Sequence, residues 1–100
     1  MSYNYALADR GRTLATRPYG CQLREELTEA AVGEAEVVLD FADVSATSHS
    51  FADEFVAQLA EEVRDGRQEF TLALHSPAPG VERVIRKALE RRGLDVPVVV

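Results

Sequence analysis

Val37-Val38-Leu39-Asp40-Phe41-Ala42-Asp43-Val44 runs into Ser45-Ala46-Thr47-Ser48-His49-Ser50 and then Phe51-Ala52-Asp53-Glu54-Phe55. The first piece, rich in Val, Leu and Phe, reads as a strand buried on both faces. The second reads as a loop in which four of six side chains are hydroxyls. The third resumes at helical period, with Phe51, Phe55 and Leu59 on one face. This order puts Ser50 at the junction of loop and helix. The spacing predicts Ser50 as the N-cap, with Asp53 completing a shortened capping box. Unsatisfied backbone N–H groups and the helix dipole favour an anion at such a junction.

The rest of the chain bounds what that junction can serve. One hundred residues are expected to form a single domain over 1–100 with one core. A hydrophobic fraction of 46% against 28% charged is that of a soluble globular protein. No apolar run approaches the roughly 20 residues of a membrane span, and Met1-Ser2-Tyr3-Asn4-Tyr5 has no signal-peptide pattern, so a cytoplasmic location is expected. The single Cys21 excludes an internal disulfide and a cysteine-based zinc site. A net charge of −6 argues against nucleic acid and anionic membranes as partners. The basic residues Arg83, Arg86, Lys87, Arg91 and Arg92 nonetheless cluster late in the chain, where a solvated helix face is expected.

In chain order, residues 2–8 and 12–16 read as short strands separated by a turn at Asp9-Arg10-Gly11. Arg17-Pro18-Tyr19-Gly20 reads as a break, followed by a helix from Cys21 to about Ala31. The central strand is expected over Glu36–Phe41 and a second helix over Phe51–Arg64, ended by Asp65-Gly66. A strand over Glu69–His75, a Pro-rich loop over Ser76–Gly80 and a helix over Val81–Arg92 follow. Val96–Val100 reads as a last strand, with Pro97 at its entry or on an edge. The order β-β-α-β-α-β-α-β implies an α/β fold with a mostly parallel or mixed sheet and helices packed on it.

Thr16-Arg17, Gly20, Leu39-Asp40-Phe41, Val44, Ser50-Phe51-Ala52-Asp53-Glu54-Phe55 and Val84-Ile85-Arg86-Lys87-Ala88-Leu89 together resemble a STAS-like domain. They are similar to an uncharacterised STAS-like subgroup related to the bacterial anti-sigma factor antagonists. The resemblance implies a regulatory protein–protein interaction module, not an enzyme; no cofactor and no metal are expected. It implies as partner a histidine-kinase-like ATP-binding serine kinase or an anti-sigma-like regulator. In that family a serine at the start of the helix after the central strand is phosphorylated. Here it falls on Ser50, with Ser48 and Thr47 as lesser candidates. The Asp-Ser that precedes it there falls on Ser48-His49, and the following glycine on Phe51. The expected partner surface comprises Asp43, Ser45, Thr47, Ser48, His49, Asp53 and Glu54.

Other readings start from the same residues. An unswitched scaffold or oligomerisation domain needs Ser50 only as a cap. A small-molecule or nucleotide-binding module would use the crevice at the strand C-terminal ends, near Asp40 and Asp43. His49 beside Ser50 lacks the orienting third group of a nucleophile–base pair, and no Gly-x-Ser-x-Gly elbow is present. Two His and one Cys, dispersed along the chain, have no metal-ligand spacing.

Overall fold

In the computed structural model, which describes residues 1–99, every strand pairing is parallel. A four-stranded sheet has the order β1 (Ser2–Ala6), β3 (Glu36–Asp40), β5 (Thr71–His75), β6 (Val98–Val99). A second sheet is the two-residue pairing of β2 (Thr13–Leu14) with β4 (Ala46–Thr47). The helices are α1 (Arg17–Ala30), α2 (His49–Ala52), α3 (Gln58–Arg64) and α4 (Pro79–Arg91). A π turn over Asp53–Ala57 joins α2 to α3 without interruption, so the two make one continuous rod. The α/β class and the mostly parallel sheet with helices packed on it are as expected. Among the described residues no helix is long and apolar enough to cross a membrane.

Because the order β1-β3-β5-β6 advances in one direction, right-handed crossovers lay the helices on one face. The continuous α2–α3 rod packs between α1 and α4. Tyr5, Leu39 and Leu74 share one register row of the sheet and are buried beneath that layer; Val37 and Leu72 form the next. Val38 and Asp40 point the other way and are only half-buried. The central strand is therefore buried fully on one face, not on both. From above, Phe51, Phe55 and Leu59 reach the core with no exposure. An aromatic run links the layers: ring centroids lie 6.1 Å apart for Tyr19–Phe51, 5.5 Å for Phe51–Phe55 and 5.9 Å for Phe55–Tyr5.

Several boundaries differ from expectation for local chemical reasons. Arg17-Pro18-Tyr19-Gly20 does not break the chain; it opens α1. The Thr16 hydroxyl caps the Tyr19 N–H at 3.3 Å, and proline in a first turn gives up an N–H that has no intrahelical partner anyway. Pro79 opens α4 in the same way. The first strand ends at Ala6 and passes into a 3₁₀ turn over Leu7–Asp9. Its neighbour in sequence, β2, pairs with β4 instead. Ser45–Ser50 is thus only partly a loop: it contributes β4 and the first residues of α2. Of the expected last strand, Val98–Val99 pairs with β5, and Val100 lies outside the described residues.

Candidate functional site

The segment from Asp40 to Ser50 is tied down residue by residue. Asp40 Oδ1 accepts from the Ala42 N–H at 3.0 Å, an Asx-type bond that starts the turn out of β3. Asp43 follows with φ of +68°, a left-handed conformation that Asp tolerates better than most L-residues, and the Val44 N–H closes back on Phe41 O at 3.1 Å. The Ser45 and Ala46 N–H groups donate to Arg12 O at 2.8 and 3.2 Å, and the Ser48 N–H to Leu14 O at 3.0 Å. The turn is consequently laced to β2.

The hydroxyls divide sharply in their use. The Thr47 hydroxyl donates to Leu14 O at 3.0 Å. The Ser48 hydroxyl donates to Ala15 O and accepts from the Phe51 N–H at 3.0 Å. Ser48, not Ser50, is therefore the N-cap. The helix begins at His49, two residues earlier than its apolar period, because Ser48 has the extended backbone a cap requires. Ser50 lies inside the first turn, exposed, and its hydroxyl has no hydrogen-bond partner among the described residues. His49 is also exposed and makes no bond to it. The expected Ser50–Asp53 capping box does not form.

The Asp53 carboxylate is held instead by two arginines. Arg92 meets it with both prongs, Nε to Oδ1 at 2.9 Å and Nη2 to Oδ2 at 3.0 Å, while Arg17 Nη1 reaches Oδ2 at 2.9 Å. Such a fork is the stronger, orientation-fixing kind of charge-assisted pair. The Arg92 bonds hold the Asp53 carboxyl below its usual range, against the opposing effect of partial burial, and Arg17 adds to the lowering. Arg17 also meets Glu54 Oε1 at 3.2 Å. Arg24 bridges Glu54 Oε2 at 2.8 Å to Glu62 Oε2 at 2.7 Å, and Arg92 extends to Gln58 at 2.6 Å and Glu61 at 3.3 Å. Three guanidinium groups thus join α1, the α2–α3 rod and the end of α4.

The π turn explains one of these bonds. The Gln58 N–H turns to Asp53 O and Phe55 O, bypassing Glu54 O four residues back. Arg24 Nε donates to that carbonyl at 3.0 Å. Gly20 permits the arrangement. A Cβ at this buried position would sit 3.2 Å from both Glu54 Cβ and Phe51 O, so only glycine lets α1 cross the rod this closely.

A family model described as STAS-like domain of unknown function (DUF4325) matches residues 19–75, more than half of the chain. The chain belongs to that STAS-like family. No curated protein and no solved structure is a match for it. The matched part of this STAS-like chain runs from Tyr19 in α1 to His75 at the end of β5, and so includes Gly20, Arg24, the Ser45–Ser50 segment and the whole rod. Arg17 and Arg92, which clamp Asp53, lie outside it.

The predicted site residues are brought together in part. Ser45, Thr47, Ser48, His49 and Ser50 form one continuous surface strip, and Asp53 and Glu54 follow it on the helix, already engaged in ion pairs. Asp43 is exposed at the turn that leads into the strip. The arginines were not legible beforehand, since they stand 30 to 39 residues from their partners. An open groove of about 460 Å³ lies between Ala31–Ala35 and Gly66–Phe70. It sits at the N-terminal ends of β3 and β5, the opposite end of the sheet from Ser50. Among the described residues no group of three His, Cys, Asp or Glu side chains is placed to hold a metal ion.

Proposed function

We propose that this STAS-like chain is a non-enzymatic, cytoplasmic regulatory module that binds another protein through Ser45–Ser50 and the first turns of the α2–α3 rod. Phosphorylation of Ser50 switches that binding off. One observation supports the reading above all. Of the three hydroxyls at the helix start, Ser50's alone is both exposed and uncommitted, whereas those of Ser48 and Thr47 hold the turn in place. A kinase can modify Ser50 without dismantling the cap.

The electrostatics fit a switch that leaves the fold intact. A phosphate adds about −1.5 to −2 charges and three acceptor oxygens. In the first turn it meets the positive end of the helix dipole, which favours it. Ser50 also shares a helix face with Asp53 and Glu54, at three and four residues' distance. Those carboxylates are already compensated by Arg17, Arg24 and Arg92, and Arg17 is half-exposed and within the same neighbourhood. The phosphate would therefore be accommodated while presenting a bulky anion to any partner seated on the strip. The expected partner is a serine kinase with a histidine-kinase-like ATP-binding fold, or an anti-sigma-like regulator, by likeness to the bacterial anti-sigma factor antagonists.

Phosphate mapping by mass spectrometry on the chain isolated from its native cells tests the switch. It is paired with quantitative co-purification by wild type, Ser50→Asn and Ser50→Asp. The expected result is phosphate on Ser50, one partner retained by Ser50→Asn, and its loss with Ser50→Asp. Equal recovery by all three and no phosphate on Ser50 would overturn the switch. Failure to find any saturable protein partner would overturn the module itself.

A further inference from the structure

Seven of the eleven basic residues are ion-paired: Arg10, Arg17, Arg24, Arg64, Arg67, Arg86 and Arg92. The remaining four are Arg12, Arg83, Lys87 and Arg91, all exposed. Three of those four recur every fourth residue along α4 and so form a single stripe about 12 Å long on its outer side. With seventeen acidic side chains in the chain, counter-charges are plentiful. Among the described residues none is placed within ion-pair distance of the stripe. Glu82 is taken by Arg86 at 2.7 Å, and Glu90, exposed on the same helix, pairs with none of the three. A local excess of positive charge has thus been left open on a protein whose net charge is −6.

We infer that Arg83, Lys87 and Arg91 are the docking stripe for an acidic segment of the partner protein. This rests on the reading of the chain as a protein-binding module and names the chemistry of what it binds. Three cations about 6 Å apart match carboxylates spaced every fourth residue on a facing helix, or alternate side chains of an extended segment. The place is also right. α4 packs against both β4 and α2, so the stripe lies on an element adjacent to those that carry the Ser45–Ser50 strip. Exposed pairs of this kind are individually weak and salt-screened, so the stripe's work is to speed and orient encounter. Nucleic acid is the poorer fit. Three cations over about 12 Å neutralise only a few phosphates and leave the rest of a duplex facing a protein of net charge −6.

The test is a ¹⁵N-NMR titration of the full chain with a synthetic helical peptide bearing three Glu at four-residue spacing. Its Gln counterpart and a 12-base-pair DNA duplex serve as comparisons. The expected result is shift changes centred on Arg83, Lys87 and Arg91 with the Glu peptide alone, erased by added salt. Binding should weaken about tenfold or more in the triple variant Arg83→Gln, Lys87→Gln, Arg91→Gln, whose unchanged far-UV circular dichroism verifies folding. No shift on α4, or equal or tighter binding of the duplex there, would overturn the inference. The two proposals separate cleanly. Partner binding that responds to Ser50→Asp but ignores the triple variant sinks the stripe and leaves the module standing. Peptide binding on α4 with a Ser50-indifferent partner does the reverse for the switch.

Discussion

Replacing Ser48 and Ser50 separately by alanine should give unequal losses of stability, and the inequality decides which hydroxyl holds the helix start. Ser48→Ala removes the cap on the Phe51 N–H, worth about 1 kcal/mol. It also removes the bond to Ala15 O, which ties α2 to the residue after β2, worth about 1 kcal/mol more. The two together come to about 2 kcal/mol, or a fall in Tm of roughly 8–16 °C for a domain of this size. Ser48→Asn keeps the cap and loses the tie, so it should fall about midway. Ser50→Ala breaks no hydrogen bond and gains slightly in helix propensity, which leaves it within about 0.5 kcal/mol of wild type. Urea unfolding followed by far-UV circular dichroism reads the differences, and equal m-values confirm that the same transition is compared. A loss from Ser50→Ala as large as that from Ser48→Ala would refute the assignment. It would also remove the reason for regarding the Ser50 hydroxyl as free for modification.

Gly20→Ala gains about 1 kcal/mol in helix propensity but forces a Cβ to 3.2 Å from the unyielding Phe51 O, an overpacking cost of about 1–3 kcal/mol. Net destabilisation of about 1 kcal/mol is expected by the same urea assay. Gly80→Ala, on α4 with open space around it, should be neutral or stabilising, and a Gly20 variant that behaves alike would show the crossing to be slack. Asp53→Asn should alter the pH dependence of stability. The native carboxyl is depressed below its ordinary 3.8, so in that acidic interval the unfolded chain binds the proton first. Its contribution is therefore complete above about 3.8 and is lost as pH falls through the lower folded value. Tm of wild type should exceed that of the variant at neutral pH and converge on it in acid; a gap constant to the lowest pH would show that Asp53 is not held by Arg92 and Arg17.

Much of the fold was written locally. Phe51, Phe55 and Leu59 at helical period, the Val-Leu run before them and the regular alternation of strand and helix were sufficient for an α/β domain with parallel crossovers. The motif around Gly20, Asp40-Phe41 and Ser50-Phe51-Ala52-Asp53-Glu54 was sufficient for the STAS-like family. These features survive translation into three dimensions because they depend on neighbours a few residues away, where hydrophobic period and chain stiffness dominate.

Where a helix starts proved less legible. Ser48 and Ser50 are equally good caps by residue type, and the choice fell to β2, which sits across the turn and gives Ser48 a second partner in Ala15 O. Thr16 likewise made Arg17-Pro18 a helix opening. The pairing of β2 with β4, the π turn, and the clamp of Arg17, Arg24 and Arg92 on Asp53 and Glu54 were invisible beforehand. The strand pairing and the clamp join residues roughly 30 or more apart, the carbonyl that the π turn leaves over is taken by Arg24 from 30 residues away, and nothing in local spacing selects one arginine over another. The sequence alone determined which segments coil, which extend and which family they compose. Only the packed molecule decided which hydroxyl is spent on holding the turn and which is left over, because that depends on carbonyls and guanidinium groups brought in from distant parts of the chain.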